Sequence, residues 1–199
     1  VLSMISSFQK LFDNGMICSS EQAAIVDAAI YDEVKAEFEA HQCVIISKKA
    51  DIAKLEKVVL NEARIAINGA IVGHSAIEIA EKAGLKVPEG TKMLLAEIPD
   101  ATMEHPLALE KLSPVLILIK SDGVEDGFKK VEGVLNLGGI GHTAVIHTEN
   151  EELQLQCGIR MKACRVLVNS PSAEGGIGNI YNNMIPSLTL GCGSHGHNS

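Results

Sequence analysis

The chain has 199 residues, 46% of them hydrophobic, and a formal net charge of −8, which bounds it to one domain with a sizeable core or two small ones and leaves a single compact unit as the expectation. The acidic excess is spread along the chain without any cluster of lysine or arginine, so no long-range field draws it to nucleic acid. No run approaches the roughly 18 apolar residues of a membrane span, and the start lacks the basic-then-apolar order of a secretory signal, so the reading is a cytoplasmic protein with no membrane partner.

The elements alternate between two periodicities. Ser3 to Phe12 reads as a helix with Leu2, Ile5 and Phe8 on one side, followed by a polar loop, FDNGMICSSEQ, and a short strand from Ala23 to Val26. Tyr31 to Ala40 is predicted helical and Cys43 to Ile46 a buried strand. Helices follow over Asp51 to Val59 and Ser75 to Ala83, the second stopped by Gly84 in the C′ position. Strands are expected at Lys92 to Glu97, Val115 to Ile119 and Thr143 to Ile146, with a helix from Glu125 to Leu137 between the last two. A helix from Glu149 to Gly158 and a strand from Arg165 to Val168 close the set. Short apolar runs between amphipathic helices imply βαβ crossovers, hence an α/β fold of three layers with an open, mostly parallel sheet flanked by helices. Residues 169–199 are rich in glycine, serine and asparagine and are expected to be long loops, with Ser187 to Leu190 as a lone strand.

Five cysteines (Cys18, Cys43, Cys157, Cys164, Cys192) form an odd count with no CxxC pair, which favours reduced thiols over a disulfide framework or a zinc site. Cys43 lies in an apolar strand and belongs to the core, and packing is also favoured for Cys157 and Cys164. Cys192 with His195 and His197 is too loose a set near a chain end to predict a metal. Cys18 is different: a glycine precedes it, hydroxyls follow it, and it sits on a connection where an exposed thiolate could be stabilised by backbone N–H groups. A small buried filler remains the competing reading.

Three other stretches hold candidates. GGIGHTAVIH has its glycines before a strand, the reverse of a dinucleotide fingerprint, so Gly138 and Gly139 read as a helix C-cap. His142 stands at the mouth of that strand among small residues, either as a satisfied structural imidazole or as one a substrate can reach. Glu110 in EKLSPV puts a carboxylate just before a proline-led strand. EGGIGN, with Gly175, Gly176 and Gly178, is either a plain surface loop or a flexible backbone whose N–H groups face an anion.

Taken in order, FDNGMICSSEQ, EHPLALEKLSPVLILI, NLGGIGHTAVIHT, RVLVNSPSAEGGIGNIYN and PSLTLGCGS resemble the catalytic half of the CoA-acylating acetaldehyde dehydrogenases, a family that includes the aldehyde dehydrogenase part of bifunctional aldehyde-alcohol dehydrogenases. The likeness covers nearly the whole chain. It implies the reaction aldehyde plus CoA plus NAD+ giving acyl-CoA plus NADH, with NAD as cofactor, coenzyme A as co-substrate and a small aldehyde or acyl-CoA as partner. Cys18 matches the family nucleophile, which would form a thiohemiacetal and then a thioester. His142 matches the active-site histidine, a general base, and Glu110 the glutamate that bonds the nicotinamide ribose. Gly175, Gly176 and Gly178 match a segment on the active-site side and are assigned to CoA or acyl binding.

The departures carry expectations of their own. Seventeen residues precede Cys18, so the NAD-binding domain of the family is largely absent from this chain, and SHGHNS replaces the usual tryptophan-glycine pair and asparagine. The chain is therefore expected to be a catalytic-domain piece, 1–199, that does not turn over NAD+ efficiently alone. The full-length protein is expected to be a homo-oligomer and could be fused to an iron-dependent alcohol dehydrogenase. The competing readings are a non-catalytic assembly module and a hydrolytic aldehyde dehydrogenase in which water replaces CoA.

Overall fold

The computed structural model describes residues 12–187. The expected helix over Ser3 to Phe12, the strand at Ser187 to Leu190 and the trio Cys192, His195 and His197 fall wholly or largely outside them. Within them six strands alternate with six α-helices: β1 (Ala23–Asp27), α1 (Tyr31–Ala40), β2 (Cys43–Ile46), α2 (Lys49–Val59), α3 (Ala76–Lys82), β3 (Met93–Glu97), β4 (Val115–Ser121), α4 (Val124–Val134), β5 (Gly141–Ile146), α5 (Glu151–Arg160), β6 (Ala163–Val168) and α6 (Ser172–Ile177).

β1, β4, β3 and β2 pair in that order, every pair parallel. β4 runs VLILI without interruption because neither of its faces meets water. Val115, Ile117 and Ile119 pack on one side with Leu55 and Val59 of α2 and Ile79 of α3. Leu116 and Leu118 pack on the other with Val34 and Phe38 of α1, which recur at helical spacing from the buried Tyr31. α3 starts on a capping box, Ser75 with Glu78, and ends where the N–H groups of Gly84 and Leu85 return to the carbonyls of Glu81 and Ala80. Gly84 supplies the positive φ of 65° that this ending needs.

β5 and β6 form a separate parallel pair, covered by α4 and α5 through Phe128, Leu135, Ala144, Cys157 and Met161. The Arg160 guanidinium holds the two helices together, bonding Glu125 and Glu132 of α4 and lying 4.6 Å over the Phe128 ring. One open sheet was the expectation; two are found, because β1 and β5 stand on opposite walls of a cleft instead of sharing a ladder. The glycines of LNLGG close a π-helical turn, Leu135–Gly139, instead of a plain C-cap. Cys43 and Cys157 are buried as expected, whereas Cys164 on β6 is exposed. No helix among the described residues is long and apolar enough to cross a membrane.

Phe38 is fully buried between α1 and the sheet. Phe38→Ala is expected to lower the unfolding free energy by about 3–5 kcal/mol, read from urea unfolding followed by circular dichroism.

Candidate active site

The Cys18 turn is assembled from local geometry. Asp13, Asn14 and Gly15 all have positive φ, which bends the chain sharply, and the Asn14 amide donates to the Gly73 carbonyl at 2.9 Å. The N–H of Ser20 then donates to the carbonyl of Ile17 at 2.8 Å, leaving Cys18 and Ser19 as the two central residues of a tight turn that feeds β1. Cys18 is half-buried and lines a cleft of about 560 Å³ between β1 and β5, walled by Phe128, Val131 and Leu135 on the α4 side.

Glu110 and His142 line the same cleft. Glu110 comes two residues after a 3₁₀ turn (Pro106–Ala108) and precedes β4, and it is exposed. The next residue, Lys111, is fully buried, and its amino group donates to the carbonyls of Leu107 and Leu109 at 2.8 and 2.9 Å. A buried amine satisfied in this way stiffens the loop that presents Glu110. His142 is the second residue of β5. Its Nδ1 is 3.0 Å from the Thr143 hydroxyl, and its Nε2 is buried with no hydrogen-bond partner among the described residues. When Nδ1–H donates to Thr143, Nε2 carries a lone pair and can accept a proton. Burial holds the His142 pKa below its ordinary 6.5, and the Arg165 charge on β6, where Arg165 is paired with Thr143, pushes the same way.

Three predicted residues, Cys18, Glu110 and His142, thus converge on one cleft. Gly175, Gly176 and Gly178 do not line it. The expected open loop is the short helix α6, with Gly175 and Gly176 buried in it. A Cβ on Gly176 would lie 3.3 Å from Cβ of Ser19 and 3.4 Å from its hydroxyl, so this glycine lets α6 close up behind the Cys18 turn. Gly178 ends the helix with a φ of 96° and passes so near the Met184 and Ile185 carbonyls that a Cβ would meet them at 2.9 and 3.0 Å.

Sequence reasoning passed over the residues that hold this arrangement. The Ser19 hydroxyl donates to the Ala173 carbonyl at 3.1 Å, the Ser172 hydroxyl donates to the Ser19 carbonyl, and the Ser172 N–H donates to Glu21 Oε1 at 2.8 Å. Gln22 joins the turn to the Glu110 loop: its Nε2 donates to the Ser20 carbonyl and its Oε1 accepts from the Lys111 N–H, both at 3.1 Å. The one available signal was the run of polar residues CSSEQ directly before a buried strand, where side chains without a local partner imply a distant one.

Among known proteins, the chain is 49% identical over 197 residues to an aldehyde-alcohol dehydrogenase of Streptococcus pneumoniae, covering 96% of this chain and 22% of that protein. It is 42% identical over 194 residues to the bifunctional aldehyde-alcohol dehydrogenase of Escherichia coli strain K12, covering 96% and 21%. The chain therefore spans about a fifth of the length of these curated relatives. The crystal structure of an acetylating aldehyde dehydrogenase from Geobacillus thermoglucosidasius superposes with a TM-score of 0.92 at 35% identity, over all of this chain and 43% of that one. No protein-family model matches the sequence.

The buried imidazole has a consequence for stability. A His142 pKa lowered by folding means that the unfolded chain binds a proton the fold resists, so its contribution is complete above pH 6.5 and is lost as pH falls from there through the folded value. Burial shifts His147 in the same direction. His142→Asn is expected to flatten the loss of stability between about pH 7 and pH 5, measured as urea midpoints across that range. A slope equal to that of the parent chain would contradict a buried neutral His142.

Proposed function

Because this chain belongs to the CoA-acylating aldehyde dehydrogenase family, we propose that it carries the acyl-transfer site for the reaction aldehyde plus CoA plus NAD+ to acyl-CoA plus NADH, with acetaldehyde and acetyl-CoA as substrates. The observation that carries this reading is the convergence of Cys18, Glu110 and His142 on one cleft from two connections and a strand of the fold.

The chemistry follows from the three side chains. His142 Nε2 takes the proton of the Cys18 thiol, and the thiolate adds to the carbonyl carbon of acetyl-CoA. The tetrahedral adduct collapses by breaking the bond to the CoA sulfur, which leaves as a thiolate and receives the proton from His142. An acetyl thioester remains on Cys18. A base held neutral by burial suits this step, since a protonated imidazole could not accept the proton. The apolar wall formed by Phe128, Val131 and Leu135 keeps water from hydrolysing the thioester.

The donor set also fits the sugar end of a nicotinamide cofactor, because an exposed carboxylate on a stiffened loop can accept hydrogen bonds from two ribose hydroxyls. Glu110 is the residue proposed to hold it, and NAD when bound accepts the hydride in aldehyde oxidation and returns it in the reverse direction. Gly176 serves in this reading by letting α6 pack behind Cys18, and the assignment of Gly175, Gly176 and Gly178 to CoA is given up. The longer protein is proposed to carry an alcohol dehydrogenase part, as the names of the relatives state for those proteins, and separately to be a homo-oligomer.

Acetylation of Cys18 from acetyl-CoA requires no nicotinamide and is readable in this chain. Intact-mass and peptide mapping are expected to place one acetyl group on Cys18, absent from Cys18→Ser, and to show acetylation of His142→Ala slowed by about 10²- to 10⁴-fold. An adduct that persists in Cys18→Ser, or none in the folded parent chain, would remove the proposal.

A further inference from the structure

The proposed chemistry needs the Cys18 thiol at a fixed place in the cleft, and the local bonds at its turn, Ser20 N–H to the Ile17 carbonyl and Gln22 Nε2 to the Ser20 carbonyl, do not tie it to the rest of the fold. The distant support comes from Lys111 and Ile117 through Gln22, and from residues of the α6 segment about 150 positions away. Ser19 and Ser172 are 2% and 4% exposed and exchange hydrogen bonds across the contact, with Ser172 donating to the Ser19 carbonyl and Ser19 to the Ala173 carbonyl. The Glu21 carboxylate completes the joint by accepting the N–H of Ser172, the first residue of α6. α6 has six residues, far fewer than the roughly 12 a helix needs to stand alone in water, so its place depends on what grips its first turn. A Cβ at Gly176, one turn on, would crowd Ser19, and its absence leaves room for the close approach.

We infer that Glu21 is a positioning residue for the nucleophile: its Oε1, by holding the Ser172 N–H, docks α6 beneath the Cys18 turn and sets the line along which the thiol meets a substrate carbonyl. The inference rests on the reading of Cys18 as the nucleophile. A carboxylate at this place has a clear logic. A charge-assisted bond to a backbone N–H is shorter and stronger than one to a neutral acceptor. The role belongs to the acceptor oxygen more than to the charge, because a full negative charge near Cys18 would by itself oppose thiolate formation. Glutamine keeps the acceptor and loses the charge, whereas alanine loses both.

The test compares the parent chain with Glu21→Gln and Glu21→Ala, each checked for folding by circular dichroism. Single-turnover acetylation of Cys18 is followed over a range of acetyl-CoA concentrations. Glu21→Ala is expected to lower the limiting rate by about a hundredfold, the scale of a misplaced reacting group, with the half-saturating acetyl-CoA concentration unchanged. Glu21→Gln should restore the rate to within about threefold of the parent, well short of that loss. A merely structural role would lower the acetylated fraction and leave the rate of the folded molecules alone. Hydrogen exchange of the peptides covering 16–22 and 171–177 is read in the same samples, and only Glu21→Ala should speed it. The inference is overturned when Glu21→Ala acetylates at the parental rate, or when Glu21→Gln is as slow as Glu21→Ala. If the parent chain is not acetylated at all, the nucleophile reading fails separately. Exchange then decides: faster exchange confined to Glu21→Ala keeps the docking role, and equal exchange in all three removes it.

Discussion

β4 is buried on both faces, and the position of every group in the cleft follows from that constraint. A strand with no solvent side must have helices above and below it and partners on both edges. β3 takes one edge and β1 the other. The N–H of Ile117 in β4 donates to the Gln22 carbonyl, which ties the end of the Cys18 turn directly to the most buried strand of the molecule. Glu110 lies in the connection that enters β4, so Cys18 and this carboxylate are anchored at the amino ends of neighbouring strands. A rigid scaffold with functional side chains on its connections is the common arrangement of α/β sites, although in open sheets of this class the ligand usually sits at the carboxyl ends of the strands.

The cleft exists because β1 is an edge. Its outer side is not paired with β5 in the described fold, and β5 turns inward to pair with β6. This leaves room for a substrate and puts His142 across from Cys18. The same burial that walls the cleft holds His142 neutral, so packing and protonation state share one cause. Polar residues close the site from behind. Ser19, Glu21 and Gln22 each reach a different distant partner, and Cys18 just before them lines the cleft.

Two glycine-containing segments show how local reading and tertiary packing part company. Gly84 was legible as a helix stop because its role is a backbone angle, a property of the residue itself. EGGIGN reads as a plain surface loop or a flexible anion-facing backbone, since glycine leaves the chain free. Its residues 174–177 are helical in α6, which is bonded at its first turn by Glu21 and lies against Ser19.

The sequence by itself determined the succession of strands and helices and the parallel class of the sheet, and its resemblance to the acylating family singled out Cys18, Glu110 and His142, which local reading leaves open. The first two have local signatures, an apolar run and a 3.6-residue period. Only the tertiary structure decided that Cys18, Glu110 and His142 share a cleft, that the strands divide into two sheets, and that Glu21, Gln22 and Ser172 hold the site together. Those outcomes depend on hydrogen bonds between residues 89 to 153 positions apart. Which distant group satisfies a buried polar atom is settled by the packing of the whole chain and leaves no periodicity behind.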